Sequence, residues 1–156
     1  AYSSCVGEGP FTAEYFGEKA EKLRGAGGEY GAATGRPRRV GPFDVVASKY
    51  GIRCQGADEI ALTKLDILSG HDEIEVCVAY ELNGKTLTEF PFTDVLDECE
   101  PVFKKVKGWN CDISKCRKKE DLPKEALDYI RFLEESCECK ISYVSVGAER
   151  EAYIKM

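Results

Sequence analysis

One histidine, one tryptophan and one methionine occur in 156 residues, and each scarcity excludes something. With His71 alone, spacing offers neither a histidine-rich metal site nor a histidine-paired nucleophile; the reading for His71 is a surface loop after Gly70. No apolar run approaches the roughly 20 residues a membrane-crossing helix needs, and no basic-then-apolar leader opens the chain. No glycine-rich loop ends in Gly-Lys-Ser or Gly-Lys-Thr, so a phosphate loop of that type is lacking. Positive charge is in the minority, with 22 Lys and Arg against 28 Asp and Glu. The resulting net charge of -6 disfavours nonspecific nucleic-acid binding, which needs a basic face to neutralise phosphates.

What is present is globular: 43% hydrophobic and 32% charged residues, at a length that suits one domain over residues 1–156. The first residue is Ala1 and the only methionine is Met156, which reads as a segment lacking its N-terminal part. Eight cysteines (5, 54, 77, 99, 111, 116, 137, 139) permit disulfides by count. Cys54 and Cys77 fall in apolar periodic stretches, and neither Cys111/Cys116 nor Cys137/Cys139 has zinc-knuckle spacing. The expectation is reduced cytosolic thiols.

Along the chain, residues 11–24 predict a helix with Thr12 as cap, Tyr15, Phe16, Ala20 and Leu23 inward, and Gly25 at its end. A glycine-rich loop follows. Pro42 suits the first turn of a second helix with Phe43, Val46, Ala47, Tyr50 and Cys54 on its apolar face. Residues 60–65 read as a strand covered on both sides. Ile74, Val76, Val78 and Tyr80 alternate as a half-buried strand, and Asn83-Gly84 turns it into residues 85–90. Residues 94–99 read as a short helical turn and 102–106 as a strand. Leu122, Ala126, Ile130, Leu133 and Cys137 predict a helix with Asp121 as cap and Pro123 in the first turn. Residues 141–146 form the last strand. The class is α/β with one antiparallel hairpin.

Two features carry chemistry. The run Thr34-Gly35-Arg36-Pro37-Arg38-Arg39 holds three guanidiniums in four positions, a repulsion that an anionic ligand would offset; the alternative is a solvated basic loop. Lys64-Leu65-Asp66 and Ser145-Val146-Gly147 each end a predicted strand, where open α/β sheets bind ligands. A carboxylate there accepts from both N1–H and N2 of guanine, a pair of donors adenine lacks. Lysine lays its stem along a purine, and backbone N–H groups of residues 145–147 can reach O6. The alternative for Asp66 is a turn residue after a strand.

In order and spacing, Val6-Gly-Glu-Gly-Pro-Phe11, Gly28-Glu-Tyr-Gly-Ala32, Thr34-Gly-Arg-Pro-Arg-Arg39, Leu62-Thr-Lys-Leu-Asp66, Cys77-Val-Ala-Tyr-Glu81 and Val144-Ser-Val-Gly147 resemble the adenylosuccinate synthase family, in its C-terminal portion. The resemblance implies part of a P-loop-like α/β fold with a mostly parallel sheet and an antiparallel hairpin. It implies a GTP-dependent ligase of AMP biosynthesis, in which GTP phosphorylates the 6-oxygen of IMP and L-aspartate displaces that phosphate.

By motif, Ala32, Ala33, Thr34, Gly35, Arg36, Pro37 and Arg38 would form the loop that closes on aspartate. Val6 and Arg36 would approach IMP. Arg38, Lys64, Leu65, Asp66, Ser145, Val146 and Gly147 would hold GTP. Ala33 stands where the family usually has threonine. The catalytic residues and the Mg2+ ligands would lie in the absent N-terminal half, so neither is expected here, and the isolated segment is expected to be inactive. The complete enzyme would be a cytoplasmic homodimer without nucleic-acid or membrane partners. A stand-alone, non-catalytic guanine-nucleotide or dicarboxylate binding module is the alternative.

Overall fold

A computed structural model describes all 156 residues. Strand β1 (Ser3–Cys5) leads to helix α1 (Gly17–Gly27), strands β2 (Arg39–Gly41) and β3 (Phe43–Asp44), and helix α2 (Val45–Gln55). Strand β4 (Glu59–Leu62) runs into a 3-10 turn over Leu65–Leu68, followed by β5 (Glu73–Leu82), β6 (Lys85–Leu87) and a second 3-10 turn over Thr93–Glu98. Strand β7 (Glu100–Lys107), helix α3 (Lys124–Cys137), β8 (Lys140–Ser145) and β9 (Tyr153–Lys155) complete the chain. The α/β class is borne out. The sheets are more mixed than the mostly parallel arrangement expected. Only β3–β5 and β4–β8 pair in parallel, whereas β1–β2, β5–β6, β5–β7 and β8–β9 are antiparallel.

The larger core cluster packs α3 against the β4–β8–β9 sheet and one face of β5. It includes Leu65, Ile74, Val76, Trp109, Leu133, Ile141, Val144 and Ile154. The smaller cluster gathers Ala13, Val46, Cys77, Tyr80, Leu96 and Cys99 on the opposite side of β5. The clean alternation expected to Tyr80 holds only to Val78. A register shift between Cys77 and Ala79 inverts the parity, so Tyr80 joins Cys77 rather than Val76.

Tertiary hydrogen bonds move several boundaries. Residues 11–16 are not helical, because Tyr15 N–H donates to Val40 O at 2.8 Å and holds this stretch against β2. The helix starts at Gly17, Phe16 is its uncapped preceding residue, and the Phe16 ring is exposed rather than inward. Pro42 precedes β3 instead of opening α2, since Phe43 and Asp44 pair with Val76 and Cys77. Asp44 caps α2 by accepting from Ala47 N–H at 3.0 Å; Val45 and Val46 are buried, while Tyr50 and Cys54 are exposed.

Strand β4 is an edge, paired only with β8 and exposed at Glu59 and Ala61, and it ends before Lys64. Helix α3 buries the expected stripe. Asp121 caps nothing there, because its carboxylate accepts from Arg117 and Lys118 N–H groups one turn earlier. Strands β1, β2 and β9, each three residues long, went unread. All eight cysteines are free thiols, and burial pushes Cys77 up to about 12. No helix is long and apolar enough to cross a membrane.

Candidate functional site

Strands β4 and β8 run in parallel, with Leu62 opposite Val144, so their carboxyl ends emerge side by side. There the chain turns sharply: Lys64 adopts φ 59 and ψ 38, a left-handed conformation that costs a non-glycine residue about 1–2 kcal/mol. Part of that cost is offset because the Lys64 backbone N–H donates to Ser145 Oγ at 2.9 Å, joining the two strand ends. The turn starts the 3-10 segment that carries Asp66. Burial raises the Asp66 carboxyl above its ordinary value, and Oδ1 is buried with no hydrogen-bond partner. Beyond β8, Val146 N–H is already donated to Ala152 O at 2.9 Å. The Gly147 N–H has no partner in the chain, so the expectation of free N–H groups narrows to this one within 146–147.

The arginine run is held differently from the expectation of three clustered guanidiniums. Residues 29–38 form a hairpin. Arg38 N–H donates to Glu29 O at 2.9 Å, Gly31 N–H to Arg36 O at 2.8 Å, and Tyr30 pairs with Pro37. Ala32, Ala33, Thr34 and Gly35 form its exposed tip, and Arg36 is exposed with no ion-pair partner. Arg39 points away from the tip. Its guanidinium pairs with Glu14 at 2.6 Å and donates to the carbonyls of Gly7 and Gly9, which fixes the loop after β1. Val6 projects from that loop, 76% exposed, one residue beyond the Cys5–Arg39 register.

Glu29 ties the hairpin to the strand ends. Gly28 reverses the chain at the end of α1 with φ 63, and Glu29 N–H closes onto Arg24 O at 2.9 Å. The Glu29 side chain is only 4% exposed. It accepts from Lys64 Nζ at 2.6 Å, Tyr2 Oη at 2.5 Å, Ser4 Oγ at 2.9 Å and Arg38 at 3.4 Å. Burial alone would raise its carboxyl, but the bonds from Lys64, Tyr2 and Ser4 outweigh it and hold the group at about 2. Lys64 Nζ also donates to Gly27 O at 2.7 Å.

Two buried side-chain polar atoms in the whole chain lack a partner: Asp66 Oδ1 and Arg38 Nε. One is an acceptor and the other a donor. Both belong to residues picked out from sequence. Lys64, Ser145 and Arg38 are thus drawn into one bonded network, with Asp66 beside it, whereas the hairpin tip, Arg36 and Val6 stand free. Sequence reasoning missed Glu29, Tyr2 and Ser4. The signal for Glu29 was a lone acid among glycines beside a basic run; nothing local marks the other two. No group of three or more His, Cys, Asp or Glu side chains is disposed to hold a cation.

Residues 1–154 match the family model described as adenylosuccinate synthetase. The chain is 49% identical over 155 residues to adenylosuccinate synthetase of Synechococcus sp. (strain CC9902), an alignment spanning 99% of this chain and 35% of that protein. With the Prochlorococcus marinus (strain MIT 9515) protein of the same name it shares 50% over 155 residues, 99% of this chain and 36% of that one. The solved structure of fully ligated adenylosuccinate synthetase from Plasmodium falciparum superposes with a TM-score of 0.93 at 37% identity, across 99% of this chain and 38% of that chain. The chain therefore spans about a third of the length of the relatives it matches.

Proposed function

The chain belongs to the adenylosuccinate synthetase family, and on that premise we propose that it supplies the guanine-recognition and dicarboxylate-recognition surfaces of a GTP-dependent ligase joining IMP to L-aspartate. The observation that carries this reading is the pair of orphaned buried atoms, Asp66 Oδ1 and Arg38 Nε. A buried polar atom without a partner is costly, and a ligand that offers the complementary group relieves the cost. Guanine presents N1–H and N2 donors to the Asp66 carboxylate. Lys64, its ammonium pinned to Glu29, offers its aliphatic stem to the purine face, and the Gly147 N–H is free to donate to O6.

Arg38 offers its free donor to an anion between the nucleotide and the hairpin. Arg36, whose guanidinium is unpaired at the tip, supplies the fork, and Thr34, whose Oγ1 accepts from Arg36 N–H at 3.4 Å and keeps its own proton to donate, supplies the hydroxyl that dicarboxylate recognition requires. Val6 and Arg36 face IMP in this reading. These residues bind and orient; none is positioned as a base or nucleophile. The absence of a carboxylate cluster means that the residues present do not fit a Mg2+ site, and no metal-dependent step is assigned to them.

The test is Asp66→Asn in the full-length protein carrying this segment. The amide would turn a donor toward guanine N2, and loss of a charge-assisted bond lowers kcat/KM for GTP by about ten- to a hundredfold. Xanthosine triphosphate carries a carbonyl where guanine has N2, so the same amide should improve its use. Unaltered KM and kcat for GTP would remove Asp66 from the site.

A further inference from the structure

The geometry points to a residue outside the nucleotide and dicarboxylate contacts, and we propose that Glu29 is the positioning residue that sets both: one buried carboxylate fixes Lys64 on the guanine side and Arg38 on the dicarboxylate side. The inference rests on the reading above. A carboxylate has about four lone-pair sites, and here four donors from three separate chain segments occupy them: Tyr2 and Ser4 from the β1 region, Arg38 from the hairpin and Lys64 from the end of β4. The backbone of Glu29 holds the base of the hairpin through Arg38 N–H and the end of α1 through Arg24 O. Arg24 Nε in turn donates to Arg38 O at 2.9 Å, so the arginine's main chain is fixed from both sides.

The four bonds are unequal, and the inequality suits the role. Lys64 at 2.6 Å is held tightly, while Arg38 at 3.4 Å is held loosely and keeps Nε unpaired. An incoming anion can therefore engage the free edge of Arg38 without stripping Glu29 of its charge partner, since Lys64, Tyr2 and Ser4 remain. Glu29 orients the guanidinium and never touches substrate.

The experiment is Glu29→Gln in the full-length protein, with separate titrations of GTP and aspartate. Gln keeps the shape but loses the charge-assisted bonds. The expected result is a rise of about five- to thirtyfold in KM for both ligands with kcat changed less than about threefold. A double-mutant cycle separates positioning from general weakening. If Glu29 acts through Lys64, then Lys64→Gln added to Glu29→Gln raises the GTP KM no further than the worse single change.

Tyr2→Phe with Ser4→Ala removes the two neutral donors only, and should lower Tm while leaving both KM values within about twofold. Should Glu29→Gln fail to fold, Glu29→Asp, which keeps the charge but withdraws it by one methylene, must show the same paired KM rise. Unchanged KM values, a rise confined to one ligand, or fully additive effects with Lys64→Gln overturn the proposal. If Asp66→Asn alters nucleotide choice while the Glu29 variants leave KM unmoved, only this inference falls. If Asp66→Asn also changes nothing, the guanine reading falls with it.

Discussion

Arg36 is the one member of the arginine run whose guanidinium has no ion-pair partner inside the chain, since Arg38 leans on Glu29 and Arg39 is spent on Glu14. A guanidinium without an ion-pair partner at an exposed hairpin tip adds little to stability, and substitution there tests the aspartate contact proposed for it. Arg36→Lys should leave Tm unmoved and lower kcat/KM for aspartate by about tenfold or more, because an ammonium cannot make two parallel bonds to one carboxylate. Titrating aspartate at saturating IMP and GTP decides it; wild-type kcat/KM would detach the run from that substrate. Glu29 makes a prediction about pH. Its folded value, about 2, lies below the ordinary 4.5, so its stabilisation is complete above about pH 4.5 and is lost as pH falls toward 2. The full shift corresponds to about 3 kcal/mol, of which about 2 kcal/mol is gone by pH 3. Unfolding free energies from urea titrations at pH 6 and pH 3 should therefore differ less in Glu29→Gln than in the parent, by roughly that amount.

At the scale of elements, two helix ends carry opposite lessons. Asp44 caps α2 and also accepts the Tyr80 phenol at 2.6 Å, deep beside β5. Asp44→Ala loses the cap and strands the Tyr80 hydroxyl, and should cost about 2–4 kcal/mol in chemical denaturation. Helix α3 ends at Glu138, which sits in the left-handed region at φ 53. Glu138→Gly removes that penalty and gives up ion pairs with Lys49 and, at 3.9 Å, Arg53 on an exposed carboxylate, which are worth little. The net expectation is a gain of about 0.5–1 kcal/mol, read as a Tm higher by about 1–4 °C. A lower Tm would mean that the Lys49 bridge outweighs the backbone term. Element by element, α3 was legible because its apolar spacing coincides with burial. The start of α1 was not, since a single bond from Tyr15 N–H to Val40 O pulls residues 11–16 onto β2, and no local pattern announces it.

Taken whole, the chain has neither a Gly-Lys-Ser or Gly-Lys-Thr phosphate loop nor a clustered carboxylate site. The purified 156-residue chain is therefore expected to make no adenylosuccinate from IMP, GTP and aspartate. Turnover above a buffer blank, in material free of host enzyme, would refute this. The sequence by itself determined the α/β class, the Asn83-Gly84 hairpin, the stripe of α3 and the family, because periodicity, turn chemistry and six ordered blocks are all written locally along the chain. It also singled out Lys64, Asp66, Ser145 and the arginine loop as residues worth attention. Only the tertiary structure decided which of those residues meet. The parallel pairing of β4 with β8 set Lys64 against Ser145, the bulge in β5 sent Tyr80 to Asp44, and Glu29 was buried where it joins Lys64 to Arg38. The physical reason is that a hydrogen bond across 35 residues, as between Glu29 and Lys64, leaves no periodic trace, and the two unpaired buried atoms acquire meaning only once everything around them is paired.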